Sequence, residues 1–208
     1  MFSPPSPTLK TVTAVILAGG GSTRMGGQDK SLLTIAQQSL LQRMIGRLHS
    51  QVERILINSN HPDQAHRETG LTLIADAPEF FAQGPLAGMQ AALAINPPDY
   101  LFVLPCDCTD LPHNIVQQFL DAALQQNPSA AVAWSDGRMQ PVFALIQTST
   151  LQSLKTYLRT GKKNARGWFE KIEASRVDFA ADERCFQACN SPTEYQQLKT
   201  IIETIKPS

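Results

Sequence analysis

The sequence predicts an α/β domain: a Rossmann-like, mainly parallel central sheet with helices on both faces. Three observations predict it. Short β-rich runs alternate with stretches of helical spacing through the first half of the chain. One run, "YLFVLPCD" (Tyr100–Asp107), is apolar almost throughout, as a central strand buried on both faces must be. A glycine-rich loop directly follows the first strand, where sheets of this kind bind ligands.

The elements follow in order. "TAVIL" (Thr13–Leu17) is the first strand. "SLLTIAQQSLLQRMIGRL" (Ser31–Leu48) has helical spacing, with a short break near Thr34–Gln38. "RILIN" (Arg54–Asn58) and "LTLIAD" (Leu71–Asp76) are the second and third strands. "GPLAGMQAALAI" (Gly84–Ile95) is a loop entering a helix, followed by the central strand and a helix over Asn114–Gln126. "AAVAWS" (Ala130–Ser135), "PVFALI" (Pro141–Ile146) and "SRVDF" (Ser175–Phe179) are later strands. A helix covers Ser149–Arg159, and a basic loop follows it. The last helix opens at "SPTEYQQLK": Ser191 is the N-cap, Pro192 the first helical residue, and Glu194 completes a capping box.

At 208 residues the chain suits one domain. Residues 1–10, "MFSPPSPTLK", form a mobile tail with neither the basic start nor the apolar core of a signal peptide. Residues 11–208 form the single domain. Eighteen basic and eighteen acidic residues leave no formal net charge, which argues against a nucleic-acid binder. No apolar run approaches the roughly 18 residues of a membrane span, so the expected location is the cytoplasm. The four cysteines (Cys106, Cys108, Cys185 and Cys189) lack zinc spacing and are expected to be reduced thiols.

The stretch "LAGGGSTRMGGQDKSL" (Leu17–Leu32) carries five glycines. It is not a P-loop, because Gly27 stands where G-x-x-x-x-G-K requires lysine. It is not a dinucleotide fingerprint either, because Arg24 occupies the last glycine of G-x-G-x-x-G. The physics still favours phosphate. Backbone N–H groups of a glycine loop can surround an anion, Arg24 can grip it bidentately, and Lys30 adds a compact charge. A helix beginning near Ser31 would add its positive end.

The strand ends mark the other candidates. Asp107 closes the central strand: it could cap a turn, since "DCTDLP" is rich in turn formers, or bind Mg²⁺, which takes one or two carboxylates plus phosphate oxygens, and the glycine loop nearby favours the metal. Asp76 and Asn58 could each cap a turn or bind a base or ribose. The basic stretch "RTGKKNARGWF" (Arg159–Phe169) is either a solvated face or a receiver for a second anionic substrate.

"LAGGGSTRMGGQDKSL", "GPLAGM", "PCDCTDLP", "QPVFAL" and "NSPTEY" occur in that order. Together they closely resemble the bacterial molybdenum cofactor guanylyltransferases. The resemblance covers nearly the whole chain after the tail and implies the nucleotide-diphospho-sugar transferase type of fold. It implies transfer of GMP from GTP to the terminal phosphate of Mo-molybdopterin, with pyrophosphate released. On matching motifs, Leu17, Ala18, Gly19 and Gly20 would hold GTP with Asn58 and Asp76. Arg24 and Lys30 would handle its phosphates, and Asp107 would bind nucleotide and Mg²⁺. The N-terminal half would take GTP and the C-terminal half molybdopterin, with Asn190 on the pterin side. Where the family often reads F-x-N-x-N-T-P-E-E, this chain has "FQACNSPTEY", with Ala188 replacing the first asparagine.

The resemblance also implies transient contact with other molybdenum cofactor proteins and apo-molybdoenzymes. The nucleophile would be a phosphate monoester, already anionic near neutral pH, so no general base is required. Accordingly no Ser–His–Asp or Cys–His signature stands out in the sequence, and none of His49, His61, His66 and His113 occupies a strand-end motif. The nearest alternatives are a molybdopterin cytidylyltransferase and an enzyme that makes nucleotide sugars or a CDP-activated alcohol. A GTP-binding adaptor without chemistry could lose Lys30 or Asp107, and both are present.

Overall fold

The computed structural model describes residues 12–18, 30–108, 111–126, 128–180, 186, 195–196 and 199–200. Nine strands and six α-helices lie within them. The strands are β1 (Val12–Leu17), β2 (Thr34–Ile35), β3 (Gln38–Ser39), β4 (Arg54–Asn58), β5 (Thr72–Ile74), β6 (Tyr100–Pro105), β7 (Ala130–Ser135), β8 (Arg138–Gln147) and β9 (Ser175–Phe179). The helices are α1 (Leu40–Leu48), α2 (Gln64–Glu68), α3 (Pro85–Ala94), α4 (Ile115–Gln126), α5 (Leu151–Arg159) and α6 (Ala165–Lys171).

Seven strands make the main sheet in the order β5-β4-β1-β6-β8-β7-β9. The predicted central strand, β6, is the fourth of the seven. β5, β4, β1 and β6 run parallel, and β9 is parallel to β7. Only β8 runs against its neighbours, pairing antiparallel with both β6 and β7. The β7–β8 ladder slips after Val132, which pairs with Ala144 while Ala133 pairs with Gln140. Pro141 stands inside that slip, where its missing N–H leaves no ladder bond unmade.

The alternation of side chains along β1 builds two core layers. Val12, Ala14 and Ile16 pack with Leu41, Met44 and Leu48 of α1 and with Ile115, Phe119 and Leu120 of α4. Val15 faces the other layer, with Leu86, Met89 and Leu93 of α3, Leu154 of α5, and Trp168 and Phe169 of α6. Helices therefore cover both faces, as expected. α3 is buried from Leu86 through Leu93, so its nearly uniform apolarity reflects a helix enclosed by the sheet and α5.

Two expectations need correction. The helix read from Ser31 to Leu48 begins only at Leu40. Ser39 caps it in a full capping box with Gln42, a local arrangement that ends any helix continuing from the N-terminal side. Before it lie a 3₁₀ turn (Lys30–Leu32) and the β2–β3 hairpin, in which Ala36 and Gln37 take positive φ. The basic loop after Arg159 is helical in its second half, α6, capped by Asn164, because Trp168 and Phe169 are buried in the core. α2 was not read from the sequence at all; its five residues are too few to show a period. The tail 1–10, the Ser191 cap, Cys185 and Cys189 lie outside the described residues. Near the C-terminal end, the Tyr195 hydroxyl donates to the Thr34 carbonyl of β2 at 2.5 Å. No described helix is long and apolar enough to cross a membrane.

Candidate functional site

Parallel register aligns four strand ends. Leu17 pairs with Asn58 on one side and Pro105 on the other, and Asn58 pairs with Ile74. The carboxyl ends of β5, β4, β1 and β6 are therefore level, and the loops leaving them border one cavity. That cavity has a volume of about 380 Å³, in the range of small-molecule sites. Its lining includes Leu17, Ala18, Lys30, Asn58, Asp76 and Asp107, six residues expected at the site. Gly19, Gly20, Arg24, Ala188 and Asn190 lie outside the described residues.

One wall is a polar network at the ends of β4 and β5. Asn58 donates through Nδ2 to Asp76 Oδ1 at 3.2 Å, and Asn60 donates to Asp76 Oδ2 at 2.8 Å. The Asp76 N–H donates back to Asn60 Oδ1 at 2.9 Å, and the Ala82 N–H reaches Asp76 Oδ2 at 3.3 Å. The Asp76 carboxylate thus already accepts three hydrogen bonds of the roughly four its lone pairs allow. It organises two amides and the loop that leads into α3. Asn58 is almost fully buried, and its place is set from behind by α3. A Cβ on Gly88 would collide with the Asn58 side chain and come within 2.7 Å of Leu17 Cδ2. Glycine at this helical position lets α3 approach the strand ends.

The opposite wall carries charge. Lys30 Nζ lies 3.7 Å from Asp107 Oδ2, and both side chains are mostly buried. Burial pushes the Asp107 carboxyl above its ordinary value, and the charge of Lys30 only partly offsets that. A carboxylate this poorly compensated fits an added cation. Among the described residues no three His, Cys, Asp or Glu side chains cluster to cage a metal ion by themselves. That donor set suits Mg²⁺, which binds through few carboxylates together with phosphate oxygens.

Sequence reasoning missed several lining residues. Asn60 follows Asn58 by two positions in "NSN", a signal that was available. Val142 reaches the cavity because β8 runs antiparallel beside β6, and nothing in its own segment announces that. Gly84 and Pro85 open α3 directly on the cavity, so the helix end facing the site belongs to α3 and not to a helix at Ser31.

The basic stretch is partly consumed in structure. Arg159 pairs with Glu79 at 2.7 Å and Arg166 with Glu170 at 2.8 Å, both at the exposed surface. The Lys163 carbonyl lies 3.9 Å from where a Gly84 Cβ would stand, which brings this segment to the cavity rim. A Ser–His–Asp arrangement also exists that was not read from the sequence: Ser31, His66 and Asp63 are joined by hydrogen bonds. Ser31 and His66 are fully buried, so the serine is no nucleophile.

Comparison with known proteins agrees with this geometry. The family model described as MobA-like NTP transferase domain matches residues 14–177. A molybdenum cofactor guanylyltransferase from Shewanella piezotolerans is 37% identical over 196 residues, covering 94% of this chain and 96% of that protein. Among solved structures, a molybdopterin-guanine dinucleotide biosynthesis protein A from Archaeoglobus fulgidus superposes with a TM-score of 0.74 at 17% identity, covering 93% of this chain and all of that one. A CMP:2-keto-3-deoxy-manno-octonic acid synthetase complexed with CTP also reaches 0.74, at 13% identity, over 93% and 98% of the two chains. At these identities the structural likeness shows the fold alone.

Proposed function

The chain belongs to the molybdenum cofactor guanylyltransferases of the MobA-like NTP transferase family, and from that premise we propose how its site works. The protein transfers GMP from GTP to the terminal phosphate of Mo-molybdopterin, forming molybdopterin guanine dinucleotide and releasing pyrophosphate. A phosphate oxygen of molybdopterin attacks the α-phosphorus as its bond to the pyrophosphate oxygen breaks. The observation that carries the reading is the level row of strand ends, which gathers Leu17, Ala18, Lys30, Asn58, Asp76 and Asp107 around one cavity.

The roles divide between the two walls. Asn58, Asn60 and Asp76 form a rigid polar surface for the nucleoside, with Leu17 and Ala18 beneath it. Lys30 meets the phosphates opposite, with Arg24, Gly19 and Gly20 of the preceding loop. Asp107 would hold Mg²⁺, which when bound offsets negative charge on the phosphate oxygens. No residue has to take a proton from the attacking phosphate, so the site's work is alignment and charge stabilisation. The segment around Lys163, at the rim, supports placing the second, anionic substrate on that side, with Asn190. A cytoplasmic location belongs to the same reading. Transient contact with other molybdenum cofactor proteins and apo-molybdoenzymes completes the reading.

The test is equilibrium binding of GTP, CTP and ATP with Mg²⁺, followed by the transfer assay with molybdopterin. Preference for GTP is expected. Preference for CTP would move the protein to cytidylyl transfer, with which its fold is compatible.

A further inference from the structure

We infer that Ser31 and His66, held by Asp63, are positioning residues that set the Lys30 ammonium for nucleotide binding. Ser31 directly follows Lys30 in the 3₁₀ turn at the end of the glycine-rich stretch. Its hydroxyl lies 3.1 Å from His66 Nε2, across 35 residues of sequence, and both side chains have no exposed surface. The His66 ring is fixed in turn: Nδ1 lies 2.8 Å from Asp63 Oδ1. Asp63 caps α2, accepting from the His66 backbone N–H at 3.2 Å.

The Asp63 backbone N–H also lies 3.3 Å from His66 Nδ1, completing a reciprocal capping box that fixes the ring. Burial acts to raise the Asp63 carboxyl, but its hydrogen bonds with His66 outweigh that and hold the group below its ordinary value.

The chain of contacts joins the two walls of the cavity. α2 follows β4, whose end supplies Asn58 and, just beyond it, Asn60 to one wall. Lys30 and Asp107 make the other wall. The Lys30 amine extends from backbone whose position an anchor beside it must hold. Ser31 is that anchor, and its partner sits on the segment that also carries the nucleoside-facing amides. This arrangement couples the spacing of the two walls to one buried hydrogen bond. The inference rests on the guanylyltransferase reading.

The experiment compares guanylyl transfer and GTP binding in the full chain, its Ser31→Ala variant, Lys30→Ala, and the double variant. Ser31→Ala is expected to lower kcat/KM for GTP about tenfold, since a shift of about 1 Å at a reacting group has effects of this order or larger. In the Lys30→Ala background the same change is expected to cost less than about twofold, because residues acting through one another are non-additive. His66→Gln keeps a polar terminus at the Nε2 position and should retain most activity. His66→Asn reaches Asp63 but not Ser31 and should resemble Ser31→Ala.

Additive losses with Lys30→Ala, or losses that track thermal unfolding alone in all variants, would overturn the positioning role. A wild-type protein without guanylyl transfer would instead sink the functional reading, and this role with it.

Discussion

Lys30 Nζ stands 3.7 Å from Asp107 Oδ2 at the mouth of the central strand, a mostly buried ion pair between the glycine-rich stretch and the "PCD" turn. Each partner has a second task in the proposed reaction. In the proposed reaction Lys30→Ala removes a cation that meets the phosphates. Its kcat/KM for GTP should fall at least about tenfold, equivalent to about 1.4 kcal/mol. Steady-state kinetics with varied GTP checks this, and an unchanged kcat/KM would remove Lys30 from the phosphate site.

Asp107→Asn should abolish Mg²⁺-dependent turnover while the fold persists. It should also change how stability depends on pH. Burial raises the Asp107 carboxyl in the folded chain above its ordinary 3.8, so the folded state holds that proton more tightly than the unfolded state. The ionised carboxylate therefore detracts from stability. That cost is absent below the unfolded value and grows as pH rises through the folded one. Denaturant unfolding from about pH 4 to about pH 8 should show the asparagine variant gaining on the wild type. A difference that is flat with pH would mean Lys30 compensates Asp107 fully.

Asp76→Asn replaces a group that only accepts with one that also donates. Three donors converge on this carboxylate: Asn58 Nδ2, Asn60 Nδ2 and the Ala82 N–H. At least one loses its partner, and the nucleoside wall loosens. Competition binding should show a blunted preference for GTP over ATP. Selectivity as sharp as the wild type's would confine Asp76 to holding its loop.

Gly88→Ala should weaken GTP binding although alanine favours helices over glycine by roughly 0.5–1 kcal/mol. The new Cβ displaces Asn58 or Leu17, both of which line the cavity. Calorimetric titration with GTP alongside thermal unfolding separates the two effects. Undiminished affinity would show that α3 can retreat from the strand ends at no cost to the site.

Much of this architecture was legible in the chain. Strand-end residues such as Asn58 and Leu17 were located correctly because parallel strands with apolar runs announce both their length and their burial. Asp107 and Lys30 were legible as charges in a setting where charge is costly unless used. The hairpin falls at the expected break near Thr34–Gln38, whereas Ser31–Leu33 keeps helical spacing by accident and continues no helix. Only the capping box at Ser39 and the positive φ of Ala36 and Gln37 reveal the hairpin. Trp168 and Phe169 hid a helix inside a basic stretch, since four cations masked a short apolar face.

Local patterning along the chain carries the fold class, the central place of β6, the strand-end positions of Leu17 and Asn58, and the place of Asp107 two residues beyond the end of β6. Each follows from local periodicity, which a chain carries in its own order. Packing between elements sets the antiparallel course of β8, which brings Val142 to the cavity. It alone decided that Asp76 is already engaged by Asn58, Asn60 and Ala82, and that Ser31 reaches His66. Those relations span 6 to 35 residues and depend on register and on the approach of one element to another. Periodicity within a segment carries no information about such distances, because packing between segments sets them.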